Sequence, residues 1–341
     1  MTAITHVTEQ PPNEADMDAD FDARTFAEAI EARLLGGPRT LSPRGLSERA
    51  GLDQDSARRL WRSMGFAITD DDEVALTDQD LAASQRVKRA IDLGIVSFDE
   101  VVSIARLTGQ VFAQLADNAG AALARIALSH SETDFDGVVD LLADEILPLL
   151  EDQHRYVWRR QLAAYVARNA ARYDRDGLDD AAVTVGFADI SGYTSLSRHT
   201  SESGLAGLLE LFESVATDAV GAHGGRVVKL IGDAVLFTTA EPTSGADVAV
   251  DLLDAWPADQ PSVRAGVATG PVLRRLGDVF GPTVNVASRL TSVAEPGEIR
   301  IDEATYGVLA ADRRFRVVEQ APRDVRGYEQ LKSWTVRRTA D

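Results

Sequence analysis

Residues 184–196 read TVGFADISGYTSL. The stretch opens as an apolar strand and then sets a carboxylate, Asp189, where the next core residue is expected. Ser191 and Gly192 follow at once. A small, glycine-containing passage from strand to helix presents backbone N–H groups that can hold phosphate oxygens. It is not the lysine-bearing phosphate loop of the common NTPases, because G-x-x-x-x-G-K-[ST] occurs nowhere in the 341 residues.

Reading outward, β and α segments alternate. AVTVGFADI is a strand, Ser203 to Ala222 a helix, GRVVKL a strand, IGD a tight turn and AVLFTT a strand. A helix around Gly245 to Ala255, a strand VRAGVATG, a helix opening near TVNVASRL and a strand EIRID complete the pattern. Two strands joined by a short turn, set between helical crossovers, predict an α+β fold of the ferredoxin-like βαββαβ kind. If the strands ending at Asp189 and turning at Asp233 are neighbours, two carboxylates meet at one sheet edge. Left alone they repel, and burial raises at least one pKa. A hard divalent cation such as Mg²⁺ or Mn²⁺ resolves the conflict, although GD and DISG are also ordinary turn sequences.

Composition narrows the chemistry. With no cysteine, disulfides, thiolate-bound zinc and thiol nucleophiles are excluded. A net charge of −19 opposes a nonspecific nucleic-acid or anionic-membrane surface. No apolar run reaches the roughly 18 to 20 residues of a membrane span, so a cytoplasmic location is expected. The charge is uneven: residues 1–180 carry 33 acids and 19 bases, residues 181–341 carry 21 acids and 16 bases. The first 20 residues are polar and acidic and read as a disordered tail. Residues 21–150 show helical spacing throughout, as in VVSIARLTGQVFAQLA, and form an all-α domain. A further helix, Glu151 to Arg172, leads through YDRDGLDD into the second domain, so 151–180 is the linker and 181–341 the α+β domain.

FADISGYTSL, GGRVVKLIGDAVLF and GDVFGPTVNVASRL, followed by EPGEIRIDEATY, resemble the signature segments of the class III nucleotidyl cyclases, in order and over residues 182–338. The resemblance implies an adenylate cyclase acting on ATP, with two Mg²⁺ or Mn²⁺ ions held by Asp189, Asp233 and the Ile190 carbonyl. Lys229 and Asp278 match the pair that reads the purine: adenine offers an acceptor at N1 and a donor at N6, whereas guanine reverses the pattern. Asn285 and Arg289, four apart on one helix face, match the residues that orient the ribose and offset charge at the α-phosphate. Ser191, Gly192 and Arg326 fall where phosphate contacts are made, Arg326 standing in for a frequent lysine. The resemblance also implies a homodimer with each site shared between subunits.

The helical half contains LSPRGLSERAGLDQDSARRLWRSMGF, which resembles a helix-turn-helix with Gly51 at the turn and Arg58, Arg59 and Arg62 on the second helix. A DNA-binding regulator with an inactive cyclase-like half is the alternative, opposed by the acidity of this half. The preferred reading is a regulatory and dimerisation domain, similar to those of some actinobacterial cyclases. Its input would be a small molecule, a lipid or pH, with His154 on the linker helix a titratable candidate.

Overall fold

A computed structural model describes residues 23–67, 70–130, 135–169 and 182–339. The tail expected over residues 1–20 and the boundary stretch Tyr173–Asp180 lie outside them. Two compact units divide the chain between Ala167 and Arg168.

The first unit is helical, with α1 (Ala23–Leu34), α2 (Pro43–Ala50), α3 (Gln54–Ser63), α4 (Asp78–Asp92), α5 (Phe98–His130), α6 (Phe135–Asp140) and α7 (Leu147–Asn169). Its helix starts are written locally. Ser42 caps α2, Asp53 caps α3 through the Ser56 amide at 2.8 Å, and Thr77 with Asp80 closes a reciprocal box at the start of α4. A π-helical turn, Leu141–Ile146, joins α6 to α7 directly ahead of Pro148, whose ring and missing N–H disfavour regular α geometry one turn back. Leu41, Leu46, Ala50, Leu76 and Leu81 make a small core around α2 and α4.

The second unit runs β1 (Val183–Ile190), α8 (Tyr193–Leu196), α9 (Glu202–Ala222), β2 (Arg226–Ile231), β3 (Ala234–Thr239), α10 (Pro242–Ala255), β4 (Val263–Gly270), β5 (Leu273–Arg275), β6 (Asp278–Phe280), α11 (Pro282–Val293), β7 (Ile299–Ile301), α12 (Glu303–Leu309), β8 (Phe315–Val325) and β9 (Tyr328–Arg338). The seven-stranded sheet has the order β2-β3-β1-β4-β7-β9-β8. Along β2-β3-β1-β4 each strand is antiparallel to its neighbour, which gives the ferredoxin-like βαββαβ core. The β8–β9 hairpin and the small β5–β6 pair are additions to the expected pattern.

Alternation along the strands sorts the side chains. Ala188, Ile190, Val235, Phe237, Val263, Ala265 and Val267 pack with Phe212 of α9 and Val248 and Leu252 of α10 in the main core. The opposite face holds Val185, Leu236 and Ala268 against Ala287 and Leu290 of α11. There α11 lies on bare backbone: a Cβ added at Gly266 would come within 2.3 Å of the Thr291 amide and 2.5 Å of the Ala287 carbonyl. Only glycine permits that approach.

Candidate active site

Asp189 is the last odd-numbered residue of β1 and therefore points to the α11 face of the sheet, like Val185. Its neighbours across the ladder are Ala234 on β3 and Arg264 on β4. Asp233 sits in the turn between β2 and β3, which Gly232 makes tight by adopting φ 60°. The two acids are brought to one edge by a backbone bond from the Ile190 amide to the Asp233 carbonyl, 3.0 Å. Burial, aided by the charge of Asp189, pushes the Asp233 carboxyl above the usual carboxylate range. Asp189 is instead held by Arg264, whose Nε donates to Oδ1 at 2.7 Å and Nη2 to Oδ2 at 3.3 Å.

Among the described residues no three His, Cys, Asp or Glu side chains converge as a closed metal site. Two carboxylates and a carbonyl fit an ion that keeps positions for water and phosphate oxygens, as Mg²⁺ does. A second feature fits a ligand here. The Ser191 hydroxyl is buried and has no hydrogen-bond partner. The Ser191 amide, by contrast, donates to the Ser262 carbonyl at 2.8 Å. The Ser191 amide is thus engaged within the domain.

Lys229 and Asp278 come together at 2.6 Å. A bulge between Val227 and Lys229 re-aims the lysine on β2, opposite Leu236. The aspartate begins β6, and the turn before it is tied to β2 where Arg226 Nη1 donates to the Gly277 carbonyl at 2.9 Å. Burial opposes ionisation of Asp278, but Lys229 and the Val279 amide outweigh it and hold the carboxyl below its ordinary value. Asn285 and Arg289 both lie on α11, Asn285 exposed. Arg289 Nε donates to the Arg326 carbonyl at 3.2 Å, which ties α11 to the β8–β9 turn. The side chain of Arg326 is exposed there. Gly192 caps α8, a helix of one turn.

Residues 179–338 match the model of the adenylate and guanylate cyclase catalytic domain, and residues 18–162 that of the adenylate cyclase regulatory domain. An adenylate cyclase of Glutamicibacter nicotianae is 37% identical over 91% of this chain and 82% of its own length. One from Streptomyces coelicolor is 37% identical with the same coverage. The chain belongs to the adenylate cyclase family. Among solved structures, the catalytic core of a rhodopsin-guanylyl cyclase with converted specificity, in complex with ATPαS, is 26% identical over 47% of this cyclase and 96% of that chain, with a TM-score of 0.43.

In the regulatory half of the cyclase, α2 and α3 flank Gly51 as the helix-turn-helix reading expects. Two of the three arginines on α3 are already engaged, Arg58 with Asp71 and Arg59 with Asp99 at 2.7 Å. With the match to a regulatory domain, this disfavours the DNA-binding alternative. No helix among the described residues is long and apolar enough to cross a membrane. Sequence reasoning missed Arg264 and Arg226. VRAGVATG shows Arg264 as its one charged residue, but that it lies directly across from Asp189 emerges only from the strand pairing.

Proposed function

We propose that the protein converts ATP to 3′,5′-cyclic AMP and pyrophosphate at sites shared between two copies of the chain. The ribose 3′-oxygen forms a bond to the α-phosphorus, the bond from that phosphorus to the bridging oxygen of the β-phosphate breaks, and the hydroxyl proton leaves to solvent. Two Mg²⁺ or Mn²⁺ ions held by Asp189, Asp233 and the Ile190 carbonyl would supply the charge that activates the hydroxyl and steadies the triphosphate. Lys229 donates to adenine N1 and Asp278 accepts from N6. Asn285 fixes the ribose, and Arg289 meets charge as it develops at the α-phosphate. Ser191, Gly192 and Arg326 contact phosphate oxygens.

The observation that carries this reading is the convergence of Lys229 and Asp278 at 2.6 Å in the same fold that sets Asp189 and Asp233 at one sheet edge. Each pair is common alone; together they give one fold a base reader and an oxygen-donor cation site. Because a single chain bears both sets, a symmetric homodimer has two equivalent sites. The helical unit regulates them and contributes to dimerisation. In support, α7 carries Tyr156, Trp158 and Tyr165 exposed in the single chain, and Trp158 and Tyr165, seven apart, share one helix face of the kind a second copy covers. His154, the candidate titratable group, lies edge-on to Phe112 at 5.9 Å. Domains are assigned as 21–150 regulatory, 151–180 linker and 181–341 catalytic.

The test is direct. Purified full-length protein is incubated with ATP or GTP and with Mg²⁺ or Mn²⁺, and cyclic product is measured across pH, with and without residues 1–180. Cyclic AMP from ATP, with little cyclic GMP, is expected. Absence of product from a folded dimer in every combination refutes the activity. An unchanged pH profile after truncation removes the pH input and leaves a lipid or small molecule to be screened.

A further inference from the structure

We infer that α3 and α5 of the helical unit form a binding cleft for an oligophosphate anion, inorganic or carried on a nucleotide. The inference does not depend on the cyclase reading, because its residues lie within the part matched to the regulatory domain. Residues 1–180 hold 33 acids against 19 bases, yet four arginines gather at one place in that acidic half. Arg58, Arg59 and Arg62 of α3 and Arg106 of α5 line an open cleft of about 540 Å³, with Asp55 and Ser63 completing its wall. The four guanidinium groups are not equivalent. Arg58 is forked onto Asp71 through Nε and Nη2, and Arg59 Nη2 donates to Asp99 at 2.7 Å while its guanidinium lies over the Phe98 ring. Arg62 and Arg106 are exposed and have no ion pair or hydrogen bond among the described residues. The cleft therefore keeps a net positive charge after Asp55, Asp71 and Asp99 are counted.

Packing fixes this arrangement. Met64 ends α3, and a Cβ added at Gly109 of α5 would come within 2.3 Å of the Met64 carbonyl oxygen. Arg106, three residues before Gly109, shares that face of α5. The Arg59–Asp99 bond ties α3 to the first turn of α5. α5 is thus a wall along the arginine face of α3. Two helices side by side, each about 10 to 12 Å across, do not fit a major groove about 12 Å wide. The stretch that resembles a helix-turn-helix therefore makes a concave anion site in place of a protruding reading helix. Every residue lining the cleft is polar, so an acyl chain finds nothing to bury against. Arginine forks match phosphate oxygens, and several guanidinium groups around a ligand-sized space suit an anion with several charges close together, as in a di- or triphosphate.

The experiment is calorimetric titration of the full-length protein in low salt and EDTA, which withholds the cations proposed for the catalytic edge. The probes are inorganic tripolyphosphate, ATP, orthophosphate and a mixed-sequence DNA duplex. Tripolyphosphate is expected to bind wild type more tightly than orthophosphate does, and more weakly as salt is raised. R62Q/R106Q should lose at least about tenfold in affinity, the scale of lost charge-assisted hydrogen bonds. Its unfolding temperature should match wild type, because neither side chain has a partner to lose. R106Q alone, an exposed change within α5, should show part of the loss and serves if the double variant does not fold. Equal affinity for ATP and tripolyphosphate assigns recognition to the phosphate chain; tighter binding of ATP, with the same loss in R62Q/R106Q, adds the nucleoside. R289Q is the control for the catalytic domain and should leave tripolyphosphate binding unchanged. The inference is overturned if tripolyphosphate does not bind, if R62Q/R106Q binds it like wild type, if R289Q abolishes its binding, or if duplex DNA displaces it with higher affinity.

Discussion

The two acid–base pairs on the α11 face of the sheet invite comparison. At one, Asp278 and Lys229 neutralise each other, and both are expected to face the substrate base. At the other, Asp189 is paired with Arg264, while its companion acid Asp233 makes no direct ion pair among the described residues and is pushed up by burial. The first pair is complete without a ligand, and in the proposed reaction it would select by pattern. The second edge carries a charge conflict that a cation would relieve, so it would select by charge. On that reading, specificity and reactivity are carried by different electrostatic devices in one domain.

The sharpest way to break that contrast is to remove its charged members. Asp189→Ala and Arg289→Ala should each lose activity by about a hundredfold or more, the scale of a lost cation site or transition-state donor. Mixed, the two inactive proteins should regain activity, because a heterodimer restores one intact shared site; a mixture that stays dead sinks the shared site. Next come the selecting groups. Lys229→Ala or Asp278→Ala should narrow the preference for ATP over GTP by about 10- to 100-fold, following from roughly 1 to 3 kcal/mol per mispaired group, as measured by competition between the two nucleotides. A smaller effect is expected at Arg226, which ties down the turn before Asp278. Arg226→Ala should raise KM for ATP several-fold with kcat nearly unchanged, since a single hydrogen bond to a carbonyl contributes about 1 to 2 kcal/mol.

The smallest effect concerns stability rather than turnover. Burial raises the Asp302 carboxyl, which caps α12 by accepting from the Thr305 amide at 2.9 Å. A carboxyl whose folded pKa lies above its unfolded value of about 4 favours the fold when protonated. That contribution is fully present below about pH 4 and is lost as pH rises through the raised folded value. Asp302→Asn keeps an acceptor for the cap but does not titrate. Thermal unfolding of the two proteins should therefore diverge in favour of Asp302→Asn as pH climbs through that window. Parallel curves would show that Asp302 does not titrate with folding.

Much of the fold was legible because its strands alternate or run apolar between clear turns. AVLFTT and VRAGVATG match β3 and β4 residue for residue, and the IGD turn lies where expected. The β8–β9 hairpin was not, since FRVVEQAPRDV mixes charge with a proline and two register shifts interrupt its pairing. Three-residue strands such as β5 and β6 carry too little pattern to register at all. The π turn before α7 hides inside a continuous helical periodicity. At the site, residues in the signature segments were legible. Arg264 was not, because its meaning comes from a partner 75 positions away that only strand pairing reveals. Arg326 was expected through its side chain, yet the contact it makes to Arg289 is through its carbonyl.

The seam at Gly266 sets a mechanical limit. With amide and carbonyl groups of α11 seated against the β4 backbone, there is no slack for that helix to slide or roll within its own domain. A signal that retunes Asn285 and Arg289 would have to swing the catalytic slab as a piece, on the microsecond-to-millisecond scale of domain movement. Throttling such an enzyme would then resemble parting two halves of a clasp more than bending one of its prongs.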